Sequence, residues 1–158
     1  MQTNIEIMIR KFFFSIAGIA TGLMLITIIT ESTEVFLVTA ISEMGVRELL
    51  DDQSAFLAVR NQPVILLLKL AYTTAAGFIG GYSCAVISRT KPEIHSMILS
   101  FIQLLGFVYG AVLSDFSKTL PIEVWFSLAI VTCAAILFAG KLRASRIMGS
   151  NTDCEEPS

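Results

Sequence analysis

Residues 64–88 read VILLLKLAYTTAAGFIGGYSCAVIS, twenty-five positions carrying a single charge, Lys69. A bilayer core about 30 Å thick is crossed by roughly 20 helical residues. Inside it only a helix or a closed barrel satisfies its own backbone hydrogen bonds. The length and apolar content of this stretch therefore predict a membrane-spanning helix. Working outward, residues 12–30, 97–113 and 124–140 have the same character. The fold class expected is all-α: a four-transmembrane-helix bundle, with an outer amphipathic helical segment between helices 1 and 2.

The composition points the same way. The chain has 158 residues, of which 54% are hydrophobic and 15% charged, outside the range of ordinary water-soluble domains. A chain this short could not cover several helices that are apolar on every side. The net charge of -2 and the lack of a basic stripe speak against nucleic-acid binding. Three cysteines, Cys84, Cys133 and Cys154, have no CxxC spacing and read as small packing residues plus one tail thiol rather than a zinc motif or disulfide framework. The first apolar run follows Arg10 and Lys11 but exceeds a signal-peptide core of roughly 7–15 residues, so it is expected to be retained as a helix.

Charge asymmetry sets the expected orientation. Arg10, Lys11, Arg89, Lys91, Lys141, Arg143 and Arg146 flank one side of the four spans, against Arg47, Arg60 and Lys118 on the other. Basic residues near helix ends stay cytoplasmic, which places both termini in the cytoplasm. Helix boundaries are marked by Pro63, a tolerated first-turn residue, by Thr90-Lys91-Pro92-Glu93, which fits a capping box, and by Pro121 with Glu123. Trp125 and Phe126 suit the outer membrane interface.

The connection over residues 31–62 is too long for an idle loop. Phe36, Leu37, Ala40, Ile41 and Met44 recur at helical spacing, and residues 55–60 form a second short helical candidate. One or two amphipathic helices lying on the outer surface or capping the bundle are expected; the alternative is that the first helix continues past the membrane. Residues 1–148 form a single membrane domain, and the polar tail, 149–158, is expected to be disordered.

Gly18/Gly22, Gly77/Gly81 and Gly106/Gly110 place Gly-x-x-x-Gly in three of the four spans. In lipid, close backbone approach over small residues supplies the dispersion contact that helix association needs. Ser15, Ala85 and the pair Ala135/Ala139 extend the pattern. Three such seams in one small chain are more than a homodimer requires, so packing within one bundle is the expectation, with homo-oligomerisation the alternative.

Polar residues inside the spans are the candidate functional groups. Lys69 stands out, about 9 Å into the second span at ~1.5 Å per residue. Its stem can snorkel to the outer headgroups, or it can pair with Asp115 or Glu31; a substrate or proton role is the sharper alternative. Lys69, Thr73, Ala76 and Gly80 share a weakly polar face continuing to Ser83 and Cys84. Gln103 requires an interhelical hydrogen-bond partner. His95, the single histidine, reads as an exposed interfacial residue. No catalytic, cofactor-binding or metal-binding pattern is legible, and no cofactor is expected.

The segment Ala76-Gly77-Phe78-Ile79-Gly80-Gly81-Tyr82, then Ala85-Val86-Ile87-Ser88-Arg89, Lys91-Pro92-Glu93-Ile94-His95 and the Pro121-Ile122-Glu123-Val124-Trp125 opening of the fourth span resemble a group of small, uncharacterised four-helix proteins of the bacterial inner membrane. The likeness covers roughly residues 63 to 143. It implies a fold and a bacterial envelope, and no catalytic residue. The functional expectation is a non-enzymatic scaffold or accessory subunit, with the bilayer and a membrane-protein partner or second copy as its contacts. The alternative is a small transporter or channel, acting alone or as an oligomer. Four-helix multidrug transporters carry a carboxylate deep in the first helix, whereas residues 12–30 here hold no charge.

Overall fold

The computed structural model of the chain describes residues 2–42, 45, 47, 51–88, 91–113 and 120–152. Among them run five helices: α1 (Gln2–Ser42), α2 (Gln53–Arg60), α3 (Pro63–Ile87), α4 (Pro92–Val108) and α5 (Ile122–Thr152). The end of α4 widens into a π-helical turn at Tyr109–Leu113. Four segments, Ile5–Ser42, Pro63–Ile87, Pro92–Leu113 and Ile122–Ile147, are long and apolar enough to cross a bilayer. The chain is an all-α, multi-pass membrane protein.

The spans alternate in direction. Gly18 and Gly22 of α1 lie against Ser88, Cys84 and Gly80 of α3 in descending order, so these two helices are antiparallel. Gly77 and Gly81 meet Thr132 and Ile136 of α5 in ascending order, which makes α3 and α5 parallel. Helix α3 is thus central, held between α1 and α5. Helix α4 packs mainly on α5, where Gly140 abuts Ser96, and closes the ring through Leu99 against Gly22. The innermost residues Ile26, Cys84, Leu99 and Ile136 are 0–2% exposed and, with Ile19 and Leu23 packed on them, form a dry apolar core.

Three features differ from the reading of the sequence. The apolar positions Phe36 to Ile41 belong to α1 itself, which runs unbroken to Ser42. The physical reason is that neither glycine nor proline interrupts the chain between Gly22 and Gly45, and Glu34 and Val38, one turn apart, are 4% and 0% exposed against the rest of the protein. Among the described residues the separate amphipathic element is α2; Met44 lies outside them. Secondly, α4 opens with Pro92 in its first turn and Lys91 as its cap, at φ 44 and without a side-chain cap bond; the expected capping box rests on Thr90, which lies outside the described residues. Thirdly, α5 extends to Thr152, into the tail expected to be disordered, whose remainder lies outside the described residues.

Helix α2 starts because Asp52 caps it. Its Oδ1 accepts from the Ser54 hydroxyl at 2.6 Å and from the Ser54 and Ala55 amides at 3.1 Å each. The Ser54 hydroxyl first, and then the amides, hold this carboxyl below its ordinary value of 3.8. A lowered carboxyl stabilises the folded form above its ordinary value and loses that contribution as pH falls through the lowered one. Hydrogen-exchange protection over residues 53–60, taken relative to intrinsic rates at each pH, is therefore expected to fall in acid below the ordinary carboxyl range. Asp52→Asn, which caps without titrating, should flatten that dependence. Unchanged acid sensitivity in the variant would contradict the assignment.

Candidate functional site

The register of the α1–α3 seam determines what lies at its far end. Gly18, Gly22, Ile26, Thr30, Glu34 and Val38 recur every four residues along one face of α1. On α3 the inward face descends from Cys84 through Gly80, Gly77 and Thr73 to Lys69. At Gly80 an added Cβ would lie 2.7 Å from the Gly22 carbonyl oxygen and 2.5 Å from Ile26 Cγ1, so only glycine permits this approach. From that crossing, twelve residues up α1 reach Glu34 and eleven down α3 reach Lys69, about 18 Å and about 16.5 Å at ~1.5 Å per residue. The two must meet.

They do so inside the protein. Lys69 Nζ donates to Glu34 Oε2 at 2.5 Å, and the residues are 5% and 4% exposed. The Tyr72 hydroxyl donates to the same oxygen at 3.2 Å. The other oxygen, Oε1, forms an ion pair with Arg60 Nε, delivered by the last turn of α2. One carboxylate therefore gathers a lysine from α3 and an arginine from α2, and it fastens the amphipathic helix onto the bundle. Removing charges from water is costly, and a buried pair holds only where geometry and further hydrogen bonds compensate; here the phenol and the second cation do so.

Beside this cluster lies a cavity of about 170 Å³, room for several waters. The Thr30 and Thr73 hydroxyls and the Trp125 indole N–H sit in its wall with no hydrogen-bond partner among the described residues. Gln103 contributes its amide and Glu31 a carboxylate, while Ile26, Leu128 and Phe107 supply apolar wall. Trp125 is fixed from behind by Phe107, ring centroids 6.3 Å apart and steeply tilted, and by Gly110, where an added Cβ would lie 3.0 Å from the indole. The chamber offers hydroxyl, amide and indole groups to a small polar occupant, with a carboxylate and two cations already engaged with one another.

The structure gathers Lys69, Thr73 and Gln103 into this site. Asp115 lies outside the described residues. Lys69 does not snorkel outward: its amine turns into the bundle because Glu34 meets it there, not Glu31. Glu34, Arg60 and Tyr72 were missed by sequence reasoning. The signal that could have found Glu34 is the four-residue ladder from Gly18, which carries it on the glycine face. Arg60 has no such signal, since its position depends on the turn joining α2 to α3.

Among the glycines, Gly18, Gly22, Gly77 and Gly81 lie in intramolecular seams, and Gly110 sits against Trp125. Gly106 is the exception. It is exposed, and among the described residues an added Cβ would meet nothing within 4 Å. The close approach of α4 is made by Gly140 of α5 instead. His95 also departs from expectation: it is 9% exposed, its Nε2 lies 2.8 Å from the Ser15 hydroxyl and its Nδ1 3.0 Å from the Lys91 carbonyl. The ring ties the start of α4 to α1.

No protein-family model, curated protein or solved structure matches this sequence.

Proposed function

We propose that this chain is a non-enzymatic scaffold or accessory subunit of the bacterial inner membrane, with both ends cytoplasmic and a partner helix seated on the lipid-facing side of α4. The observation that carries this reading is Gly106. A glycine in a helix interior costs about 1 kcal/mol relative to alanine, and this one returns no packing against the described residues of its own chain. It faces outward among Ile102, Leu105 and Tyr109, which are 36%, 52% and 61% exposed. In a bilayer, a small residue exposed on a span admits another helix at close range. The apolar core of Ile26, Cys84, Leu99 and Ile136 supports the same reading, because it stoppers the polar cavity on its inner side. The seven-to-three distribution of Lys and Arg supports the orientation, and the resemblance of residues 63–143 to small inner-membrane proteins supports the location.

The test is the size of the complex extracted from native membranes in mild detergent. The unaltered chain is expected to migrate above its own mass with a co-purifying membrane protein or a second copy. Gly106→Leu should release it as a monomer at unchanged thermal stability. A monomeric unaltered chain, or a variant that keeps its complex, would overturn the proposal.

A second reading, a small transporter or channel, is favoured by one observation: the Glu34–Lys69–Arg60 cluster bordering a polar cavity. Solute or ion flux in liposomes containing only this chain, abolished by Lys69→Met at equal protein incorporation, would move the assignment to that class.

A further inference from the structure

At the end of the bundle opposite the Glu34 cluster, α1 and α5 flank the last turn of α3 and leave a groove of about 510 Å³, with Ala85, Val86 and Ile87 beside Phe14, Ile147 and Arg143. The walls are apolar except for the arginine. Its Nε is buried and has no hydrogen-bond partner among the described residues. Val86, on the wall, is 39% exposed, so the groove communicates with the surrounding lipid. Other cations surround it. The Arg10 guanidinium lies 5.8 Å from the ring centroid of Phe14, and Arg146 donates to the Tyr82 hydroxyl at 3.4 Å. Lys11, Lys91 and Lys141 are at the same end; the described carboxylates there are Glu6 and Glu93, both exposed. Six described basic residues against two acids leave this end positive.

We propose that this groove is a binding site for an anionic glycerophospholipid, its phosphate on the Arg143 guanidinium and an acyl chain along Phe14, Ala85, Val86 and Ile87. The occupant follows from complementarity on two counts. The apolar walls begin where the spans enter the hydrocarbon, so a chain that belongs in lipid fills them without being withdrawn from water. The guanidinium presents several donors in a planar fork that fits phosphate oxygens, and an orphaned donor at membrane depth requires an acceptor. Basic recesses between spans on the positive face of a membrane protein bind acidic headgroups for these reasons. A zwitterionic lipid supplies the phosphate but adds a cation that must sit among Arg10, Arg143 and Arg146. The net negative headgroup is therefore preferred.

The full chain is purified in neutral detergent and titrated with phosphatidylglycerol or phosphatidylcholine, reading bound lipid by native mass spectrometry and the thermal midpoint in parallel. Phosphatidylglycerol is expected to bind preferentially and to raise the midpoint. Arg143→Gln should weaken it roughly fivefold, the effect of one basic residue at a membrane surface. Arg143→Lys should retain part of the preference, and Lys141→Gln, away from the groove, should retain all of it. If Arg143→Gln does not fold, Val86→Trp, which fills the groove and leaves the charge, should reduce bound phosphatidylglycerol by a similar factor. Equal binding of the two lipids, full binding by Arg143→Gln or by Val86→Trp, or a midpoint rise matched by inorganic phosphate without lipid would each overturn the assignment. Complex size is a separate readout, so failure here leaves the partner proposal for α4 standing.

Discussion

Glu34→Ala is expected to destabilise the protein by about 3–5 kcal/mol, the effect of removing one partner from a buried ion pair. The carboxylate is 4% exposed and serves Lys69, Arg60 and Tyr72 together. Its loss leaves an ammonium and a guanidinium facing each other at the membrane boundary with no counter-charge between them. Lys69→Met should cost less, because Arg60 and Tyr72 continue to engage Glu34 and the methionine fills the vacated volume. The double variant Glu34→Ala with Lys69→Met should recover part of the loss, since no unpaired lysine then remains. Thermal midpoints in one detergent, assembled as a double-mutant cycle, measure this. A Glu34→Ala protein as stable as the parent, or effects that simply add, would mean that the contacts contribute nothing beyond proximity.

Gly81→Leu is expected to be at least as damaging, for a steric reason. A Cβ there would lie 2.8 Å from both the Cα and the carbonyl oxygen of Ile136. These are backbone atoms of α5, so no rotamer change relieves the overlap, and α3 and α5 would have to separate along their seam. Overpacking a core that can partly adjust costs about 1–3 kcal/mol, and this position cannot adjust, so loss of the folded bundle is the expected result. Protease resistance and monodispersity in detergent after expression read it directly. Retention of the parental midpoint by Gly81→Leu would show that α5 does not lie where its glycine contact demands.

The spans were legible because each apolar run falls within the length range of a bilayer crossing, about 17–25 residues, and is bounded by proline or by basic residues, signals that do not depend on tertiary context. The intramolecular seams were legible in part. Gly18, Gly22, Gly77 and Gly81 carry the information, but a glycine motif does not say whether its partner is in the same chain, and Gly106 has the same spacing while facing outward. The site was half legible. Lys69 and Thr73 announce themselves as polar groups within an apolar run. Glu34 was hidden because it sits among several acids after the first apolar run, where a carboxylate reads as solvated. Only the unbroken continuation of α1 turns it inward. His95 escaped for a similar reason: its burial follows from α4 crossing Ser15, a long-range contact without a local signature.

The seam that places Glu34 opposite Lys69 within one chain is most directly tested by cross-linking in native membranes. Glu34→Cys and Lys69→Cys are combined in a chain whose Cys84, Cys133 and Cys154 are replaced by alanine, and a short bis-maleimide is applied. The expected result is an intramolecular cross-link, seen as a monomer of altered mobility that leaves the membrane only with detergent. A cross-linked dimer, two cysteines that react without joining, or recovery of the protein in the aqueous fraction would contradict the structure described.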